Sequence, residues 1–388
     1  MVISAGQKDK VNKSMPPTSA QFCIIDVDNL QAWTHFILDQ LKEHTQKTVF
    51  QKQEFCGSTW VYRGQSDASW QITSSFERAI SFDRTLVRNA ERTLRGKELS
   101  AISRFKAKAW PYVDKPNMSN LEWLMLMRHH GVPTRLVDFT ESPIVALFFA
   151  LEDNPSSDFA IWALNKDAME DAYSLSQIGR HVPEFEKLNA KYGPRLIEAL
   201  KDLNSKDPLV VKAQNHFETF ALSDATIEMR NEINRKLATS IFDTPLYKEP
   251  DYPSGVRAIW FYPELPSSRM KAQNGLFLMP MDIECSFMRS LCASLSIAIP
   301  ESMKDPPHVH LNISGTDNSP CSMANVKLIK FVFKHELIKE AQDLILLSNC
   351  LRENLFPDIE GVAASVKEQV EQSLSGHMVL HGINLGTN

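Results

Sequence analysis

The sequence predicts an α+β protein, and three observations support this fold class. Short apolar runs rich in β-forming residues, such as 59–64 and 159–164, predict strands. Segments such as 30–41 repeat apolar residues at helical spacing and predict amphipathic helices. The chain is 43% hydrophobic and 23% charged, which is the balance of an ordinary globular protein.

Capping residues set the limits of the predicted elements. Asn120 is expected to cap one helix, and Pro143 occupies the first turn of the next. The predicted strands span 22–27, 59–64, 135–139, 159–164, 258–262, 275–279 and 328–333. The predicted helices span 30–41, 85–95, 97–109, 121–130, 143–152, 336–350 and 359–373.

The character of the chain changes along its length and predicts four parts. Residues 1–20 read as a flexible tail, 21–165 as the first part of a core, 166–254 as a helical insertion, and 255–388 as the second part of the core. The insertion is charged and ends in a proline-rich loop. It is either a lid that contacts a partner or a solvated helical elaboration.

Composition excludes several classes of protein. The net charge of -5 argues against a chain wrapped along a nucleic-acid backbone, although a local basic groove is compatible with it. The six cysteines form no C-x-x-C pair, so no metal site is expected. We expect them instead to be buried thiols in a reducing compartment. The apolar run 144–151 is too short to span a bilayer. A cytoplasmic location without membrane contact is expected.

The first candidate motif is Tyr62-Arg63-Gly64-Gln65, at the end of a predicted strand. An arginine at a strand end places a guanidinium at the edge of a cleft, where it suits phosphate or carboxylate. The glycine allows close approach to the backbone. The alternative is a structural pair between Arg63 and an acid such as Asp67.

The second candidate motif is denser and covers residues 128–142, where cationic, acidic, imidazole and hydroxyl side chains crowd together. Thr140 and Ser142 lie two apart between a strand and an apolar helix, so both hydroxyls are predicted to face one cleft. A structural ion pair between Arg135 and Asp138 is the alternative. The candidate binding residues here are His129, Thr134, Arg135 and Asp138.

A third candidate is Gln273, which precedes the predicted strand at Gly275 and could aim its amide at a ligand. A simple turn amide is the alternative. Glycine-rich phosphate loops are absent from the sequence, which argues against a triphosphate cradled by the backbone.

Together these segments resemble the FRG domain. The resemblance covers roughly residues 55–165 and 255–370. It rests on Tyr62-Arg63-Gly64-Gln65, on His129-x-Gly131-x-Pro133-Thr134-Arg135-Leu136-x-Asp138-x-Thr140-x-Ser142-Pro143 with Ala146-Leu147-x-Phe149-Ala150, on Gln273-x-Gly275-x-Phe277, and on Leu355-Phe356-Pro357-Asp358 with Gly361.

The motif order is also similar to that of ADP-ribosyltransferases. This resemblance implies a split antiparallel β-sheet core with flanking helices, and NAD as a substrate. Arg63 would bind the NAD phosphates, Gly64 would meet the nicotinamide amide, and Thr140 and Ser142 would form the second motif. Gln273 stands where those enzymes have glutamate, so the function of that glutamate would come from Asp138, Glu141 or a neutral His129, or the acceptor would need little activation.

Three functions follow as hypotheses. The first is an NAD-dependent ADP-ribosyltransferase, a bacterial toxin or phage-defence effector that modifies a protein or nucleic acid and is restrained by an antitoxin or another regulatory protein. The second is a hydrolase or nuclease that uses His129 or His130 with Asp138. The third is a non-catalytic module that binds a nucleotide.

Overall fold

The strands of the computed structural model form one continuous eight-stranded sheet in the order β5-β6-β3-β2-β4-β8-β1-β7. The structure describes residues 21–38, 60–80, 94–113, 117–169, 227–243, 258–264, 266–297, 308–311 and 326–374. The strands are β1 (Phe22–Val27), β2 (Trp60–Gln65), β3 (Val137–Thr140), β4 (Phe159–Asn165), β5 (Ala258–Phe261), β6 (Gly275–Pro280), β7 (His308–Leu311) and β8 (Leu328–Phe333).

The sheet is mixed but mostly antiparallel. Strand β1 runs parallel to β7 and β8, whereas the other paired neighbours run antiparallel. With helices packed against this sheet, the predicted α+β class is confirmed. The split antiparallel core of ADP-ribosyltransferases, which the motif order implies, stays a prediction.

Eleven α-helices lie in the described part of the chain. They are α1 (Leu30–Phe36), α2 (Ser75–Ala79), α3 (Leu94–Ala109), α4 (Asn120–His129), α5 (Pro143–Leu151), α6 (Ile227–Asp243), α7 (Ser268–Ala272), α8 (Phe287–Ser294), α9 (Ile338–Leu347), α10 (Arg352–Leu355) and α11 (Ile359–Leu374). In this part of the chain no helix is long and apolar enough to cross a lipid bilayer.

Local hydrogen bonds explain where two helices begin. Helix α4 is capped by Ser119 and not by Asn120, because Ser119 and Glu122 form a reciprocal capping box. Helix α5 begins at Pro143, as predicted, and the Ser142 side chain caps it. The predicted helix 85–95 lies largely outside the described residues.

Two parts of the predicted insertion 166–254 are described, namely residues 166–169 directly after β4 and helix α6, which belongs to the core. Leu237, Ala238 and Ile241 are buried against α4, β5 and β6. The Asn234 amide donates to the main-chain oxygen of Trp260 at 2.8 Å, which ties the helix to β5. The rest of the predicted insertion, and the predicted tail 1–20, lie outside the described residues.

Candidate functional site

A cleft of about 1120 Å³ opens beside β2, β3 and β6, and it gathers most of the predicted site residues. Helices α4, α5 and α7 contribute to its walls, together with the segment that contains Phe356. The predicted residues that line it are Tyr62, Arg63, Gly64, Gln65, His129, Asp138, Thr140 and Gln273.

Arg63 is the central cation of the cleft. Its Nη1 donates to the main-chain oxygen of Asp138 at 2.7 Å, while its Nε is buried and has no hydrogen-bond partner among the described residues. Burial lowers the pKa of Arg63 to about 10, opposed by Asp138 and reinforced by Arg128 and Arg78. Arg63 is still charged at neutral pH, and an anion in the cleft would compensate its lost hydration. Asp67, the predicted alternative partner, instead accepts from the Ser69 backbone N–H.

Two further arginines lie beside Arg63. Arg128 donates to Asp138 Oδ2 through Nε at 2.8 Å and also through Nη2. Among the described residues, Arg78 donates only to the carbonyl and hydroxyl oxygens of Thr73. Burial lowers the pKa of Arg78, and so does the charge of Arg128. This part of the cleft therefore has three guanidinium groups around one carboxylate, which favours an anionic ligand.

Hydrogen bonds join the second motif, at Thr140 and Glu141, to the third, at Gln273 and Asn274. The Thr140 hydroxyl donates to the main-chain oxygen of Gln273 at 2.7 Å, and the Glu141 N–H donates to the main-chain oxygen of Asn274 at 3.0 Å. The Gln273 amide nitrogen donates to the main-chain oxygen of Leu355 at 3.1 Å. The amide of Gln273 is thus held in one orientation, and its Oε1 accepts no hydrogen bond from the described residues.

The Glu141 side chain points away from the cleft. Its Oε1 accepts hydrogen bonds from the Tyr262 hydroxyl and from the fully buried ammonium group of Lys166. Glu141 does not line the cleft. Of the two acids predicted to replace the glutamate at the position of Gln273, Asp138 therefore lines the cleft, next to Arg63, and Glu141 does not.

The segment around Phe356 forms one wall and is anchored by Arg269. Arg269 donates to the carboxylates of Asp358 and Glu360, and its guanidinium lies 5.3 Å from the centre of the Phe356 ring. Gly361 has no room for a side chain, because a Cβ there would lie 2.0 Å from the main-chain oxygen of Phe356. The Leu355–Gly361 motif therefore shapes the cleft from a distant part of the sequence.

The Asp358 anchor predicts an acid-dependent contribution to stability. Hydrogen bonds from Arg269 and from the Gly361 N–H lower the pKa of Asp358 to about 2, below the value of about 3.9 for an unfolded chain. The contribution is present above about pH 4 and is lost as the pH falls towards 2. Asp358→Asn is expected to flatten the dependence of unfolding free energy on pH between 5 and 2.5, as measured by urea denaturation. Asp343→Asn, at an exposed position on α9, is the control, and parallel curves for wild type and Asp358→Asn would contradict the prediction.

Three predicted residues lie outside the cleft. Ser142 accepts from the Val145 N–H at 3.3 Å and caps α5. Thr134 is buried, and its carbonyl and N–H groups bond to the Ser75 hydroxyl. Arg135 is only 1% exposed and forms a buried ion pair with Glu98. The predicted alternative, a pair between Arg135 and Asp138, is not formed, because Asp138 pairs with Arg128.

His129 and His130 sit on the rim, at the end of α4. Their rings contact each other edge to face, with centroids 5.0 Å apart. Burial and the charge of Arg269 lower the pKa of His129, so its imidazole is neutral at pH 7 and can accept a proton.

Trp70 and Arg78 both line the cleft, and neither was predicted from the sequence. They follow the Arg63 motif in a polar stretch with no recognisable periodicity. The one available signal was their position, within 15 residues of Arg63 and directly after its strand.

Comparison with known proteins agrees with the motif analysis. The family model of the FRG domain matches residues 58–158, which include β2, α4, β3 and α5. No curated protein and no solved structure matches the chain.

Proposed function

Since residues 58–158 carry an FRG domain, we propose that the protein is an NAD-consuming ADP-ribosyltransferase with its active site in the cleft around Arg63. One observation supports this most strongly. Arg63, Thr140 and Gln273 are far apart in the sequence, yet they line one cleft on the adjacent strands β2 and β3 and directly before β6. Their order along the chain is that of the three transferase motifs.

The charges of the cleft suit the diphosphate of NAD. Arg128 is neutralised by Asp138, whereas Arg63 and Arg78 bond only to neutral oxygens among the described residues. Two guanidinium groups match the two negative charges of a diphosphate. The volume of about 1120 Å³ is sufficient for a dinucleotide.

In the proposed reaction the bond between the nicotinamide nitrogen and ribose C1′ breaks, and nicotinamide leaves with the electron pair. A nucleophile on the acceptor forms the new bond to C1′, and its proton passes to the neutral imidazole of His129 or to water. Asp138 has one oxygen, Oδ1, that accepts no hydrogen bond from the described residues, and this oxygen orients a ribose hydroxyl. Gln273 contributes position but no charge.

The Asp138 carboxylate is less suited to the hydrolase alternative. In that alternative Asp138 has to assist His129 or His130, but no hydrogen bond joins it to either imidazole among the described residues, and its Oδ2 is bound twice by Arg128. A role in holding the ligand is more compatible with this pairing.

The proposal predicts nicotinamide release that depends on Arg63. Purified protein mixed with NAD and a cell extract is expected to release nicotinamide, and Arg63→Ala is expected to slow this by about 100-fold or more, because a preorganised cation is lost. Arg104→Ala, on the exposed face of α3, is the matched control. Nicotinamide is measured by liquid chromatography, and circular dichroism checks that each variant is folded.

Two results would contradict the proposal in different ways. NAD binding without nicotinamide release from any extract would indicate a non-catalytic nucleotide-binding module. No NAD binding by the wild-type protein would reject the dinucleotide site itself.

The setting of the reaction follows from the family resemblance. We propose a toxin or phage-defence effector that modifies a protein or a nucleic acid and is restrained by an antitoxin. Mass measurement of cellular proteins and RNA after brief expression identifies the acceptor. Purification that returns the single chain alone would count against a tight regulator.

A further inference from the structure

Trp70 is a half-exposed aromatic residue on the wall of the cleft. Its side chain is 50% exposed, and its indole forms no hydrogen bond, ring pair or cation–π contact with the described residues. Trp110 and Tyr112 are also exposed, but they do not line the cleft. An indole facing a concave site offers a large flat surface that a ligand can bury.

The backbone around Trp70 is held rigidly. The Lys330 ammonium donates to the main-chain oxygen of Trp70 at 3.1 Å, although Lys330 is only 8% exposed and burial lowers its pKa. The Gln65 amide donates to the main-chain oxygen of Gln71 at 3.1 Å and accepts from Trp162 Nε1 at 2.7 Å. Side chains from β8 and β2 thus fix the main chain at Trp70 and Gln71, from which the indole projects. Such preorganisation lowers the entropic cost of binding.

Two of the arginines that line the cleft flank the segment that carries Trp70. Arg63 comes directly before the segment that carries Trp70, and Arg78 comes directly after it and bonds to Thr73. All three side chains line the cleft. A flat ring surface next to two guanidinium groups matches a planar base that is joined to phosphates.

The two ends of β2 lead to different parts of the cleft, which distinguishes the two ends of a bound dinucleotide. Tyr62 pairs with Thr140, so the Thr140–Gln273 side of the cleft lies at one end of Arg63. The segment with Trp70 begins after Gln65, at the other end. If the bond that breaks lies near Thr140 and Gln273, the base near Trp70 is the one remote from the reaction.

We propose that Trp70 is a stacking platform for the adenine ring of an adenosine diphosphate group whose phosphates bind Arg63 and Arg78. The inference rests on the proposed NAD site for the identity of the ligand. It adds a binding subsite at the end of the cleft opposite to the transferase chemistry.

Calorimetry on the full-length protein tests the subsite, with ADP, inorganic pyrophosphate and nicotinamide mononucleotide as separate ligands. Trp70→Ala is expected to weaken ADP binding about 10- to 100-fold, because each base stacked on an aromatic side chain contributes about this much. Trp70→Phe retains a ring and is expected to lose less than about threefold. Pyrophosphate affinity is expected to stay unchanged in both variants, and Trp110→Ala is the control.

Four outcomes would overturn the inference. These are no ADP binding by the wild type, equal ADP affinity in Trp70→Ala, an equal loss of pyrophosphate affinity, and a loss confined to nicotinamide mononucleotide. An equal loss of pyrophosphate affinity would mean that the segment only positions the arginines. A loss confined to nicotinamide mononucleotide would assign the indole to the nicotinamide ring. If ADP binding behaves as expected while NAD releases no nicotinamide, the transferase proposal fails and the stacking subsite stands.

Discussion

Glu98→Gln is expected to lower the free energy of unfolding by about 3–5 kcal/mol, because it leaves the Arg135 guanidinium buried without its counter-charge. Glu98 and Arg135 are 2% and 1% exposed at their side chains. Arg135 Nε donates to both carboxylate oxygens at 2.9 Å, and Nη1 donates to the main-chain oxygens of Pro280 and Met281 at 3.2 Å. The pair thereby joins α3, the entry to β3 and the exit from β6.

A double variant separates the lost charge from the lost packing. Glu98→Leu combined with Arg135→Met removes both charges and keeps similar volumes, so it is expected to cost clearly less than the sum of the two single substitutions. Urea denaturation with a constant m-value measures each free energy. Additive losses would show that the ion pair itself contributes nothing specific. Because Arg135 lies outside the cleft, the folded fraction of Glu98→Gln is expected to bind ADP like wild type.

The strands were the most predictable part of the fold. Phe22–Val27 and Leu328–Phe333 have the predicted limits, because each is a compact, mostly apolar run, buried at alternate positions in the first strand and at nearly every position in the second. Their pairing was not predictable, since β1 lies beside β7 and β8, which come near the end of the chain. Local pattern indicates that a strand exists, but tertiary packing decides its neighbours.

The segments that form the site were predictable from the sequence, but the partners of their side chains were not. The Arg63 and Thr140 motifs met in one cleft, as expected from their polar crowding at strand ends. Arg135 stands next to the same motif, yet its partner Glu98 is 37 residues earlier on α3. No local spacing distinguishes a guanidinium that faces the cleft from one that faces the core.

The role of Gly64 shows the same limit. The sequence suggested that the glycine lets a ligand approach the backbone. Gly64 does line the cleft, and the structure shows a second role: the glycine lets α5 approach β2, because a Cβ at Gly64 would lie 1.9 Å from the main-chain oxygen of Ala146 and 2.5 Å from the nitrogen of Ala150. Ala146 and Ala150 are both fully buried small residues at this contact. A glycine in one motif is therefore matched to alanines in another.

Gly64→Ala is expected to destabilise the protein by about 3 kcal/mol or more, because the added methyl group overlaps main-chain atoms that cannot rotate away. Gly275→Ala is the matched control in β6. Its Cβ would meet the end of the flexible Met270 side chain at 2.9 Å, so the cost is expected to stay below about 1 kcal/mol. Urea denaturation measures both variants.

A second-site test identifies the clashing atoms. If the overlap is with the carbonyl oxygen of residue 146, shortening that side chain does not relieve it, and Gly64→Ala with Ala146→Gly should be at least as unstable as Gly64→Ala alone. Rescue by Ala146→Gly would instead mean that side-chain packing limits the contact and that the backbone of α5 can shift. Separating α5 from β2 would also displace Arg63, which is the neighbour of Gly64. The folded fraction of Gly64→Ala is therefore expected to bind pyrophosphate more weakly, whereas the folded fraction of Glu98→Gln, at a residue outside the cleft, retains wild-type affinity.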